Sequence, residues 1–117
     1  MAMIPFKQKY DLEKRKRKSE KMMKEYPNKY PLIVEKADNG DIPQIKRRFM
    51  VPGDMTIAKL VAVIRSRINL TAEKAIFLFV DNVLPPSGTT ISEIYSQKKD
   101  EDGFLYCVYS GENTFGF

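Results

Sequence analysis

The hydrophobic positions of the chain switch between a helical and an alternating period. From Asp11 to Glu25 the segment DLEKRKRKSEKMMKE has neither Gly nor Pro. Leu12, Ser19, Met22, Met23 and Tyr26 recur there near helical spacing under a charged outer face, which predicts an amphipathic helix that needs a platform. Before it, MIPFKQKY is punctuated by Pro5 and has room for one helical turn; after it, Pro27 and Pro31 close the helix. YPLIVEK (Tyr30–Lys36) and IKRRFMV (Ile45–Val51) read as strands, and the turn-rich ADNGDIPQ between them makes a hairpin with a long connection. TIAKLVAVIRSRINL then sets Ile57, Leu60, Val61, Ile64 and Ile68 on one helix face, with Thr56 or Asp54 as the cap. The apolar AIFLFV (Ala75–Val80) reads as a strand, ISEIYSQ as a short helix and FLYCVYS (Phe104–Ser110) as a last strand. Strand, strand, helix, strand, short helix, strand, behind a helical extension, predicts an α+β sheet with a helix across one face.

Composition narrows the function. At 117 residues the chain is one domain in size, large enough to bury roughly two-thirds of its unfolded surface. The start MAMIPF lacks a signal-peptide apolar run and no segment approaches the roughly 20 apolar residues that span a bilayer, so a cytoplasmic protein is expected. There is no histidine, which removes Ser-His-Asp and Cys-His nucleophilic sites and histidine general bases together. The single cysteine, Cys107, forms no internal disulfide, has no zinc-cluster spacing around it, and in an apolar strand reads as core. Asp100, Glu101 and Asp102 read as a solvated polar loop. No enzyme, metal or cofactor is expected.

Charge is uneven: residues 1–50 carry 14 Lys/Arg against 7 Asp/Glu, and residues 51–117 carry 6 against 8. The excess at the front suits an acidic partner or an anionic surface. The run Lys14–Lys18 has three open readings: a solvated helix face, a contact with anionic lipid or acidic protein, or a nucleic-acid element. No RNA-stacking motif or zinc finger accompanies it, so no nucleic-acid partner is expected.

Five stretches in order, LEKRKRKSEK, YPNKYPLIVEK, FMVPGDMTIAKLVAVIRSRI, AIFLFVDNVLPP and DEDGFLYCVYSGENTFG, span nearly the whole chain. With them the sequence resembles the autophagy-related protein 8 family, which includes the GABA-A-receptor-associated protein and microtubule-associated light chain 3. The resemblance implies a ubiquitin-like β-grasp fold: a helical extension over residues 1–26, the domain over 27–110 and a conjugation tail over 111–117. It implies that a cysteine protease removes Phe117, and that activating and transferring enzymes pass the carboxylate of Gly116 to phosphatidylethanolamine. The protein would then move from the cytoplasm to autophagosomal membrane. A tail ending in glycine suits this chemistry, because a residue without a Cβ allows close backbone approach in a narrow enzyme channel. Until cleavage, Phe117 keeps that carboxylate as an amide.

The resemblance also implies a groove for peptides with an aromatic-x-x-aliphatic motif, carried by cargo receptors and assembly factors. Its aromatic pocket would use Met22, Pro31, Ile33, Lys46, Arg48, Met50 and Phe104; its aliphatic pocket would use Phe49, Val51, Pro52, Met55, Leu60 and Val63. Lys29 and Arg67 would meet acidic flanks. The residues themselves agree: KRRFMV is an alternating strand beside basic residues, and an edge strand accepts an extended peptide by main-chain bonds. For Ile33, Val51 and Leu60 a purely core role stays open. Lys18 stands where several relatives carry an acidic residue at the pocket rim, and ADNGDIP is one residue shorter than in some. The alternative function is an adaptor of the same fold that binds tubulin or receptors without lipidation.

Overall fold

The computed structural model describes residues 4–37, 42–69 and 74–111. Its elements are α1 (Phe6–Lys9), α2 (Leu12–Glu25), β1 (Lys29–Lys36), β2 (Arg48–Pro52), α3 (Ile57–Ile68), β3 (Ile76–Val80), α4 (Ile91–Lys98) and β4 (Leu105–Gly111). The longer helices start where a side chain takes up a spare backbone donor. Asp11 accepts from the N–H of Lys14 at 2.9 Å and Thr56 from that of Lys59 at 3.2 Å. Thr90 and Glu93 form a reciprocal capping box at α4. Thr56, rather than Asp54, is thus the cap of α3, which ends on Asn69 in a left-handed conformation.

The sheet runs β2-β1-β4-β3, with β1 and β4 parallel at its centre and both outer strands antiparallel to their neighbours. Leu32 and Val34 of β1, with Phe49 and Val51 of β2, point into the main core beneath Leu60 and Ile64 of α3. Cys107 lies in this core, as expected, and burial pushes its thiol up to about 12. The second strand is shorter than the apolar pattern suggests, beginning at Arg48 instead of Ile45. Gln44 is the reason: its side chain accepts from the N–H of Lys36 and donates to the carbonyls of Val34 and Ile45, replacing ladder bonds at that end.

Helices α1 and α2 cover the opposite face, where Phe6, Ile33 and Phe104 form a second buried cluster. Here the solvated reading of the acidic loop fails for Asp102, which is 1% exposed. Its carboxylate accepts from Arg15 Nε at 2.8 Å, the Tyr106 hydroxyl at 2.5 Å and the Phe104 N–H at 2.8 Å, while its carbonyl accepts from Ser19 Oγ at 2.5 Å. A charge removed from water needs such a set of partners. Burial, then the Asp102 carboxylate, holds the Tyr106 hydroxyl well above the usual phenol range. Glycine is required next door: Gly103 has φ +90°, and a Cβ there would lie 2.6 Å from Ser19 Oγ.

Candidate functional site

The register of β1 and β2 decides what the edge of the sheet offers. Val34 donates its N–H to the carbonyl of Arg47 at 2.8 Å, and the facing pairs beyond are Ile33 with Arg48, Leu32 with Phe49, Pro31 with Met50 and Tyr30 with Val51. Hydrogen-bonded and non-bonded pairs alternate in an antiparallel ladder, so Phe49 and Val51 turn their backbone groups toward β1. Arg48 and Met50 turn theirs away. Among the described residues no strand pairs with this outer side of β2. Pro52 suits the same parity, since its missing N–H belongs to the outward set.

Side chains divide by the same alternation. Phe49 and Val51 are buried toward α3; Arg48 and Pro52 are exposed and Met50 half-buried on the α2 side. The residues expected to form an aromatic pocket therefore gather on one face of the strand. Met22 packs on the cluster of Ile33 and Phe104, Pro31 is fully buried opposite Met50, and Arg48 is exposed beside them, with Lys46 exposed three residues after Pro43. Those expected to form an aliphatic pocket gather on the other face, where Met55 and Val63 pack, half-buried, against the core that holds Phe49, Val51 and Leu60. Met55 is fixed from α4, accepting from the N–H of Ile91 at 2.8 Å.

Cations surround the strand. The Arg67 guanidinium lies 4.7 Å from the centre of the Phe49 ring, and Lys29 is exposed with its ammonium 5.5 Å from the Tyr26 ring. Lys18 holds its ammonium over Tyr10 at 4.4 Å. A depression of about 250 Å³ on α3 is lined by Lys59, Ala62, Val63, Ser66 and Arg67, and shares Val63 with the aliphatic side. Sequence reasoning missed Lys59, Ala62 and Ser66, although they share with Val63 and Arg67 a helical face that the apolar pattern leaves to solvent. Phe6, which closes the aromatic cluster from behind, was missed as well. Gly116 and Phe117, on which conjugation would depend, lie outside the described residues, as does the Asn39-Gly40 turn.

A helix able to cross a membrane is absent among the described residues, and so is any group of side chains fit to hold a metal ion. The family model described as "Autophagy protein Atg8 ubiquitin like" matches residues 14–116. Autophagy-related protein 8e of Arabidopsis thaliana is 56% identical over 112 residues, covering 95% of this chain and 92% of that one. Autophagy-related protein 8 of Candida glabrata is 51% identical over 113 residues, 96% of each chain. Among solved structures, Trypanosoma brucei ATG8 superposes with a TM-score of 0.88 at 38% identity, over 95% of this chain and 97% of that one. Plasmodium falciparum Atg8 in complex with a Plasmodium falciparum Atg3 peptide superposes with a TM-score of 0.82 at 32% identity, over 93% and 99%. The sheet order, the helical extension and these likenesses agree, and the chain belongs to the Atg8 family of ubiquitin-like autophagy proteins.

Proposed function

We propose that the chain is a non-enzymatic modifier, trimmed after Gly116 by a cysteine protease and joined through that residue to phosphatidylethanolamine by activating and transferring enzymes. Family membership and the Atg3-peptide complex of the Plasmodium relative support a place in such a cascade. One acyl chain holds a protein only marginally to a bilayer, whereas two anchor it stably. Conjugation would thus move a cytoplasmic protein onto the autophagosomal membrane. There β2 would recruit cargo receptors and assembly factors: a peptide strand adds to the outward groups of Arg48 and Met50, its aromatic residue on the Met22–Met50 side and its aliphatic residue on the Met55–Val63 side. Lys29 and Arg67 would meet acidic flanks, with Lys46 and Arg48 over the aromatic side.

The observation that carries this reading is the edge strand itself, which among the described residues has no partner on its outer side, with an apolar hollow expected on either face. Methionines at both hollows suit partners of varied shape, because thioether side chains re-pack easily. Intact-mass analysis of the chain from starved cells tests the conjugation half: loss of Phe117 and a lipid-bearing fraction are expected. Gly116→Ala should fold normally yet stay diffuse. Persistence of Phe117 with no lipid-bearing fraction would leave a non-lipidated adaptor, binding tubulin or receptors, as the better account.

A further inference from the structure

The aromatic side of β2 has a back wall made by a residue from outside the domain's sheet. Phe6 is 1% exposed and belongs to the same cluster as Ile33 and Phe104, both 0% exposed. Its ring meets that of Phe104 edge-on with centroids 5.3 Å apart, and those of Tyr10 and Tyr106 at 5.1 and 6.5 Å. A helix of four residues has no stability of its own, so α1 is held by what clamps it. The Phe6 N–H donates to Glu35 at 2.9 Å, and Lys7 pairs with Asp100 at 2.5 Å. Arg47 donates to the Ile4 carbonyl at 2.5 Å and to Glu35 at 3.1 Å, with its guanidinium 5.4 Å from the Phe6 ring.

The two sides of the cluster therefore differ in how readily they yield. On the groove side stand Met22, packed on the cluster, and Met50, opposite Pro31; both are half-buried and unbranched, and such side chains rotate aside at little cost. On the far side stands Phe6, locked by Glu35 and Arg47. With Ile33 and Phe104 fully covered, an entering ring gains room by moving the methionines and stops where Phe104 is backed by Phe6. We propose that Phe6, held by the Arg47–Glu35 clamp, sets the depth of the aromatic pocket and so the choice among peptides by the size of their aromatic residue. This rests on the groove reading given above.

The test uses the full chain and two acidic-flanked peptides identical except for Trp or Phe at the aromatic position, with Leu three residues later. Their dissociation constants are measured for the wild type, Phe6→Leu, and Arg47→Met, which keeps the covering side chain but removes the clamp. Amide spectra establish that each variant is folded. Phe6→Leu is expected to move the Trp:Phe affinity ratio toward Trp by about fivefold or more, the scale set by small volume changes in apolar pockets. Arg47→Met should move it the same way by less. A ratio unchanged in both folded variants, including equal weakening of both peptides, would overturn the proposal while leaving the groove intact. If the wild type binds neither peptide, the groove reading falls, and the proposal with it.

Discussion

At the scale of single residues the tightest constraint is the Asp102 carboxylate. Its partners come from α2, from the following backbone and from β4, so one buried charge fixes the helical extension to the sheet. Removing one partner of a buried ion pair leaves the other uncompensated. Arg15 is only 11% exposed at its side chain, so Asp102→Ala is expected to cost about 3–5 kcal/mol in denaturant unfolding. Arg15→Met should cost a comparable amount, since it strands the fully buried Asp102 carboxylate with only the Tyr106 hydroxyl and the Phe104 N–H to bond it. Cys107 makes a second prediction. With its thiol pushed up to about 12 by burial, the folded protein stays un-ionised there at pH 8, and a thiol reagent should react at least about a hundredfold faster once denaturant unfolds the chain. Equal rates folded and unfolded would place Cys107 at the surface.

At the scale of elements, parity along β2 gives a contrast between neighbours. Met50→Pro removes an N–H that points outward, so β1 keeps its ladder and the fold should persist with peptide binding weakened about tenfold or more. Phe49→Pro removes an inward N–H bonded to β1, together with a core ring, and should unfold the hairpin. Circular dichroism and a binding titration on the two variants separate these outcomes. This division was only partly legible in the sequence. The helices were, because the period of Ile57, Leu60, Ile64 and Ile68 admits one face and Thr56 closes its start. The strands were, because alternation alone orders Arg48 to Pro52. The early end of β2 was not, since it depends on the Gln44 side chain reaching back to Lys36 and Val34. Nor was the fate of Asp102, which needs Arg15 from 87 residues away; the one local sign was that Arg15 lies four residues before Ser19 and seven before Met22, on the inner stripe of α2. Phe6 was hidden for the same reason: a single aromatic residue in a four-residue helix has no period to read.

At the scale of the whole molecule, the tail and the edge strand are set apart by the sheet order. The last described residue, Gly111, ends β4, an interior strand, and β1 lies between it and β2. Two strand spacings, about 10 Å, separate β4 from β2 across the sheet, and Arg48 lies level with Tyr106, so that Gly111 stands five residues further along β4 than any described residue of the edge strand. A molecule conjugated through Gly116, as proposed above, would hold β2 away from the point of attachment. The front of the chain, with its twofold excess of basic residues over acidic ones, would draw in acidic segments, and that attraction should weaken with salt. Main-chain pairing should not, because it depends on geometry. The most direct test follows amide hydrogen exchange across residues 46–52 as an acidic aromatic-x-x-aliphatic peptide is added. Strand addition predicts that the amides of Arg48 and Met50 become protected about tenfold or more, while those of Phe49 and Val51, already bonded to β1, change little. Saturating peptide that leaves Arg48 and Met50 as exchangeable as before would contradict the account.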